Sequence, residues 1–130
     1  MPIQQMLLGV GAVATKTYVD DVFSTDLWTG TGSAVSIDTG VDMTDGGMVW
    51  VKPRASGYHN IIDTERGVTK VLYPNAHNDQ DTDSGGFLAS FDNNGYNLVS
   101  TGSGGNYFVG SGDKYVGWSF KKTPGFFDVV

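Results

Sequence analysis

The chain has 130 residues, a hydrophobic fraction of 39% and a net charge of −6, which is enough apolar content for one packed domain. Its eight basic residues are dispersed, whereas phosphate backbones are bound by clustered cations, so the composition excludes nucleic acid as the expected partner. The absence of cysteine excludes disulfide and thiolate chemistry, and no apolar run reaches the roughly 20 residues of a membrane helix. Nineteen glycines, and aspartate rather than glutamate at every acidic position but one, favour short strands and turns over helices.

The first 16 residues differ in character from the rest. Their apolar side chains follow the spacing of one helical face, formed by Ile3, Met6, Leu7, Val10 and Val13. Gly9 and Gly11 each weaken such a helix by about 1 kcal/mol, and so short a helix does not hold alone in water. We therefore expect residues 1–24 to be an attachment or oligomerisation arm and residues 25–130 to be the β-domain. An extension packed on its own domain is the alternative.

The β pattern begins directly after this arm. Residues 17–23 predict a single helical turn with Thr17 as its cap. Two short β-type runs follow at 26–30 and 34–38, and the turn Thr31-Gly32-Ser33 between them predicts a hairpin.

The strongest strand signal is the run 46–54, which begins at a glycine pair and closes at Pro53. Both of its faces carry apolar side chains, so we expect a central strand that is covered on both sides. The run 58–67 folds back on it, which predicts a hairpin at the middle of a sheet.

Further strand signals complete an all-β pattern. They lie at residues 68–73, 87–91, 96–99 and 115–121. Eight to ten short strands separated by turns indicate an antiparallel β-sandwich or a barrel. The predicted core takes residues from the apolar runs: Trp50, Ile62, Phe91, Leu98, Val116, Trp118 and Phe120. If Trp118 lies in that core, Trp118→Ala should cost about 3–5 kcal/mol.

Several stretches carry a resemblance to a known family. They are the opening residues 1–12, Tyr18-Val19-Asp20-Asp21-Val22-Phe23, and residues 49–54, 59–67, 91–98 and 115–130. Together they resemble a lectin-like domain of large virion proteins in marine and cyanobacterial phages. The resemblance covers most of the chain and implies a concanavalin-A-like jelly roll in a virion or tail-fibre structural protein.

A glycosidase on such a sandwich needs two carboxylates across the sugar, about 5–5.5 Å apart in retaining enzymes. Asp63 and Glu65 would share a strand face about 6–7 Å apart if the segment stayed extended. The sequence after Asp63 instead indicates a strand end that turns away, with Glu65 and Arg66 in solvent. We therefore expect no catalytic residues and no enzyme activity.

The polar loop 75–86 contains the one pattern that suggests a metal. Asp79, Asp81 and Asp83 alternate as in a calcium loop, but an EF-hand places Gly sixth and Glu twelfth, where this chain has Ser84 and Ser90. A polar loop without an ion is the favoured interpretation and calcium the alternative. His59 and His77 lack partners at zinc-ligand spacing, and no cofactor is expected.

Sugar binding stacks an aromatic ring on the pyranose while polar groups bind its hydroxyls. Trp28, Tyr58, Tyr73 and Tyr107 lie near loops and are candidates for such a ring. Trp50 and Trp118 lie inside strands and are assigned to the core.

The expected function is that of a non-catalytic phage virion structural protein, a tail-fibre or adhesin component attached through its N-terminal arm. A carbohydrate-binding module that contacts the host surface is the alternative, and a glycan hydrolase comes third. The expected partners are other virion proteins and copies of the chain, as a homotrimer, with a host glycan as a further candidate and no membrane insertion. The expected location is the virion, after synthesis in the host cytoplasm.

Overall fold

The computed structural model describes residues 16–99 and 107–130. The helical face expected for the arm, Ile3 to Val13, lies outside the described residues. The described part contains one short helix, α1 (Val19–Val22), and nine strands: β1 (Phe23–Thr29), β2 (Val35–Asp38), β3 (Gly47–Pro53), β4 (Asn60–Asp63), β5 (Lys70–Val71), β6 (Asp81–Thr82), β7 (Leu88–Asp92), β8 (Gly95–Leu98) and β9 (Lys114–Lys121).

The strands form an antiparallel β-sandwich, which confirms the predicted fold class. A four-stranded sheet in the order β1-β9-β3-β4 packs against a three-stranded sheet in the order β2-β8-β7, and β5 and β6 form a separate pair. The core between the sheets includes Val49 and Val51 from β3, and Tyr96 and Leu98 from β8. Jelly-roll connectivity, which the resemblance implies, stays a prediction.

Two hairpins form where the sequence predicts them. β3 and β4 pair antiparallel, with Val49 opposite Ile62. β7 and β8 pair around a tight turn in which Gly95 has φ 141°, a conformation that L side chains rarely adopt. Both predictions succeed because a local turn signal separates strands that are neighbours in sequence.

The predicted hairpin of residues 26–30 and 34–38 is wrong. β1 pairs over its whole length with β9, and β2 pairs with β8, so the two strands lie in different sheets. The loop that connects them forms hydrogen bonds with a distant part of the chain. The Gly32 N–H donates to the Val109 carbonyl at 2.6 Å, and the Gly30 N–H donates to the Asp113 carbonyl at 2.8 Å. Pairing with a distant strand therefore overrides the local turn signal.

Two smaller predictions also need correction. The expected strand 68–73 is reduced to β5, plus an isolated bridge between Ile61 and Leu72. The helix cap is Tyr18 rather than Thr17, since Tyr18 is still extended and its backbone N–H donates to the Asp21 carboxylate at 2.9 Å.

The prediction that β3 is covered on both sides is wrong, and with it part of the predicted core. Ile62 and Leu98 are fully buried and Val116 is 9% exposed, as expected, whereas Phe91 is only partly buried against the core. The other three residues, Trp50, Trp118 and Phe120, are partly exposed. They lie on the side of the four-stranded sheet that faces away from the core.

The orientation of β9 follows from what lies opposite it in the core. A side-chain carbon added to Gly117 would lie 2.3 Å from the Tyr96 hydroxyl oxygen and 3.1 Å from Cζ3 of Trp28. The Tyr96 and Trp28 side chains thus occupy the space beside Gly117, and no larger residue fits at that inner position. Tyr115, two residues earlier on the same face, is buried in the core. Val116, Trp118 and Phe120 alternate with these residues and therefore point outward.

Candidate docking surface

The outer side of the four-stranded sheet is built from cross-strand rows. Residues directly opposite each other on antiparallel strands project from the same face. The pairing gives three rows: Phe23, Phe120, Met48 and the buried Asp63; Thr25, Trp118, Trp50 and Ile61; and Leu27, Val116 and Lys52. Their strand neighbours Val49, Val51 and Ser119 are fully buried in the sandwich, so these rows face the other way.

Four large rings dominate this side, and we call them the aromatic face: Phe23, Trp50, Trp118 and Phe120. Trp50 and Trp118 pack edge to face with ring centroids 6.1 Å apart, and Phe23 and Phe120 do the same at 5.1 Å. His59, just before β4, packs beside Trp50 at 6.0 Å. These contacts hold the rings in fixed positions, since edge-to-face pairs add about 0.5–1.5 kcal/mol beyond burial.

The aromatic face and His59 line an open cleft of about 290 Å³. Among the described residues that line it, the imidazole is the only titratable group, so the cleft offers an apolar surface with almost no hydrogen-bonding capacity. The Trp50 indole Nε1 is shielded from solvent and has no acceptor within residues 16–99 and 107–130.

Further apolar side chains are exposed outside the cleft. Leu27 is 64% exposed in the row next to Trp118. Tyr18, Val19 and Phe126 are 60%, 65% and 46% exposed, and they line a second depression beside the turn 123–126. Exposed apolar patches on soluble proteins mark interaction sites.

The outer side of the three-stranded sheet has the opposite character. The Asn97 amide donates to the Ser90 hydroxyl at 2.9 Å and to the Asp92 carboxylate at 2.7 Å, and it accepts from Ser36. This polar ladder is satisfied internally and suits a solvated face of an antiparallel sheet.

The carboxylates considered for catalysis do not face each other across a cleft. Asp63 is buried at the end of β4, where it pairs with the Arg66 guanidinium and accepts the Arg66 backbone N–H at 2.8 Å. Glu65 is exposed in the following turn, 3.8 Å from the Lys122 ammonium. The strand end and turn lie where the sequence predicts them.

The three aspartates of the polar loop do not converge either. Asp79 is exposed, Asp81 accepts the Tyr73 hydroxyl at 2.9 Å, and Asp83 is buried, accepting the Tyr107 hydroxyl at 2.6 Å. Across the two described ranges, no group of three His, Cys, Asp or Glu residues has an arrangement that could hold a metal ion.

The four aromatic candidates for sugar stacking fall into two pairs with different surroundings in the structure. Trp28 stacks on Tyr115 and donates its Nε1–H to the Phe108 carbonyl at 2.8 Å, so it is part of the packed interior. Tyr107 packs against Phe87 with centroids 4.6 Å apart. Both rings are therefore engaged in packing and are poor platforms for a sugar.

Tyr58 and Tyr73 remain as a second, more polar candidate site. Tyr58 is 53% exposed, and its ring lies 4.8 Å from that of Tyr73. Burial and the hydrogen bond to Asp81 raise the pKa of Tyr73 to about 12, so its hydroxyl stays protonated in neutral solution. Asn75 lies beside them, bonded to the His59 backbone N–H at 2.8 Å. His77 is exposed in the loop that follows.

The sequence does not predict Phe23 or His59 as site residues, and it predicts Trp50 and Trp118 to lie in the core. Its pattern places Phe23 in the helical turn, but Phe23 is the first residue of β1. A signal for the site was present in β9, where the large residues alternate with Gly117 and Ser119. Which of the two faces points inward depends on residues of the other sheet, which no local pattern reveals.

These features define a small antiparallel β-sandwich with one polar and one aromatic outer face. The chain belongs to a domain family of unknown function, DUF7483, whose model matches residues 19–126. The match begins at the first residue of α1, so the N-terminal segment precedes it. No curated protein and no solved structure matches the chain. None of the helices in the described ranges has the length and apolar content needed to cross a membrane.

Proposed function

We propose that this protein is a non-catalytic structural component of a phage particle, of the tail-fibre or adhesin type, that attaches through its N-terminal arm and its aromatic face. The observation that carries the proposal is the set of rings from Phe23, Trp50, Trp118 and Phe120 side by side on the outer side of a sheet. Buried aromatic anchors surrounded by further apolar contacts dominate the energetics of protein interfaces.

The chemistry of the cleft favours a protein partner over a small polar substrate. Ligand sites that orient a polar molecule combine apolar walls with a few placed hydrogen-bonding groups. Here the lining consists of four aromatic side chains, from two Phe and two Trp residues, and one imidazole. An apolar side chain or a peptide segment fits such a surface, whereas a sugar would leave its hydroxyls unpaired.

The resemblance to phage virion proteins supplies the finer part of the proposal. It implies a virion or tail-fibre structural protein, so the partners would be other virion proteins and the place of action the virion. Copies of the chain, as a homotrimer, are the further expected partners, because the N-terminal arm suits exchange between identical subunits and fibres often have threefold symmetry. The non-catalytic part is supported by the separate engagement of Asp63 with Arg66 and of Glu65 with Lys122.

Incorporation into particles tests this proposal. Phage genomes encoding Trp118→Ser would be compared with the wild type and with Val35→Ser, which removes an apolar residue from the edge of the three-stranded sheet. Particles should contain the wild-type chain and the Val35→Ser variant but lack Trp118→Ser, as measured by mass spectrometry of purified particles. A chain that is absent from wild-type particles would refute the proposal, as would full incorporation of Trp118→Ser.

Host-glycan binding is a second candidate function, supported by the exposed Tyr58 ring beside the Tyr73 hydroxyl, Asp81 and Asn75. This site combines an aromatic surface with amide and carboxylate groups, as sugar recognition requires. A glycan array with the wild type and Tyr58→Ala tests it. Binding that Tyr58→Ala abolishes and Trp118→Ser leaves intact would support a glycan site. The absence of binding to any host glycan would reject it.

A further inference from the structure

We infer that the cleft on the aromatic face receives residues 1–15 from a second copy of the chain. The inference deepens the proposed function and rests on it, since it names the surface to which the arm attaches. It joins an apolar cleft on the described surface with the apolar segment that precedes Lys16 in the sequence.

The composition of the segment matches the cleft. Residues 1–15 contain no Asp, Glu, Lys or Arg, although the chain as a whole carries a net charge of −6. Their apolar residues include Ile3, Met6, Leu7 and Val10. An uncharged apolar segment enters a cleft lined by aromatic rings without the cost of burying a charge, whereas most other segments of this acidic chain would bring a carboxylate with them.

The start of the described chain places the segment close to such a cleft. α1 ends at Val22, and the next residue, Phe23, is itself part of the cleft lining. The 15 residues before Lys16 span about 50 Å when extended and about 22 Å as a helix. The segment therefore ends eight residues before Phe23, a residue of the cleft lining, and is long enough to reach the cleft of a neighbour.

Exposed apolar residues outside the cleft favour a second copy over the subunit's own arm. Leu27, Tyr18 and Val19 are each at least 60% exposed. An arm folded back on its own cleft would fill only the cleft, whereas a neighbouring subunit delivering its arm would also bring surface to cover these residues. Head-to-tail exchange of this kind closes into a ring in which each subunit gives one arm and receives one.

Complementation between two full-length variants tests the exchange. The arm variant, Leu7→Asp with Val10→Asp, keeps its cleft, and its control, Gln4→Asp with Gln5→Asp, adds the same charge beside the apolar face. The cleft variant is Trp118→Ser, with His59→Asp as a second version that alters the cleft from a loop position. Circular dichroism establishes that each variant is folded, and native mass spectrometry measures the assemblies.

The wild type and the Gln4/Gln5 control should form oligomers, whereas the arm and cleft variants should each remain at the monomer mass of 13.9 kDa. An equimolar mixture of the arm and cleft variants should yield a 1:1 complex, because one supplies the arm and the other the cleft. A monomeric wild type, a mixture that stays monomeric, or oligomers formed by the arm variant alone would overturn the inference. Those results would leave the proposed function standing if Trp118→Ser is still lost from particles, so the two failures are distinguishable.

Discussion

The two faces of the four-stranded sheet both carry apolar residues, yet only one of them is covered by the other sheet. On the inner face, Val49 and Val51 are fully buried against Tyr96 and Leu98 of the opposite sheet. On the outer face, the larger rings of Trp50 and Trp118 are fixed against each other but remain partly exposed. The size of a side chain alone therefore does not identify a core residue. A residue lies in the core when its side of the sheet is covered by the other sheet.

The outer side of the other sheet shows what an ordinary solvated face looks like in this protein. There the Asn97 amide connects Ser36, Ser90 and Asp92 in a polar ladder. The contrast between this polar face and the aromatic outer face of the four-stranded sheet supports the proposal that the aromatic face is a docking surface. Four substitutions test that contrast, from the largest expected effect to the smallest.

Tyr96→Ala should produce the largest loss of stability. Tyr96 is 1% exposed, and its removal leaves a cavity at the centre of the sandwich, so we expect a loss of about 3–5 kcal/mol by analogy with other core aromatics. Urea unfolding measures it, with Tyr58→Ala at a 53% exposed site as the control. A Tyr96→Ala protein as stable as that control would show that the inner face is not the core.

Gly117→Ala should destabilise by overpacking the same region. The new methyl group would lie 2.3 Å from the Tyr96 hydroxyl oxygen, and inserting one carbon into a filled core costs about 1–3 kcal/mol. Adding Tyr96→Phe removes that oxygen, so the double variant should recover part of the loss in a double-mutant cycle. Additive effects in the cycle would contradict the proposed clash.

Trp118→Ala should cost less than the 3–5 kcal/mol expected from the sequence alone. Since the ring is only partly buried, on the outer face, we expect a loss of about 1–2 kcal/mol. The measurement is urea unfolding of the dilute monomer, so that loss of association does not contribute. A loss as large as that of Tyr96→Ala would place Trp118 in the core after all.

Leu27→Ser should leave the stability of the monomer within about 0.5 kcal/mol, since the side chain is 64% exposed. It should nevertheless weaken self-association, because Leu27 lies in the cross-strand row next to Trp118. Unfolding of the monomer and dilution of the oligomer measure the two effects separately. Unchanged association would remove Leu27 from the docking surface and narrow it to the cleft.

The sequence predicts the local parts of this fold well. The hairpins β3–β4 and β7–β8 follow from strand composition and turn residues, and the alternation in β9 correctly groups Val116, Trp118 and Phe120 on one face. These features depend on residues close together in the chain, where periodicity and turn chemistry act directly.

Those local patterns do not predict the candidate site. The pairing of β1 with β9 joins residues almost a whole chain apart, and it alone brings Phe23 beside Phe120. The inward or outward direction of Trp118 is set by Tyr96 and Trp28, which fill the space beside Gly117. Neither relation has a signature in the residues around Trp118 itself.

Sedimentation velocity of the full chain tests the central claim, that the aromatic face binds another copy, most directly. We expect the wild type and Val35→Ser to sediment as oligomers that dissociate on dilution. Trp118→Ser should sediment at the monomer mass of 13.9 kDa while keeping the circular dichroism spectrum of the folded domain. A folded Trp118→Ser variant with the sedimentation profile of the wild type, or a wild type that is monomeric at every concentration, would contradict the account.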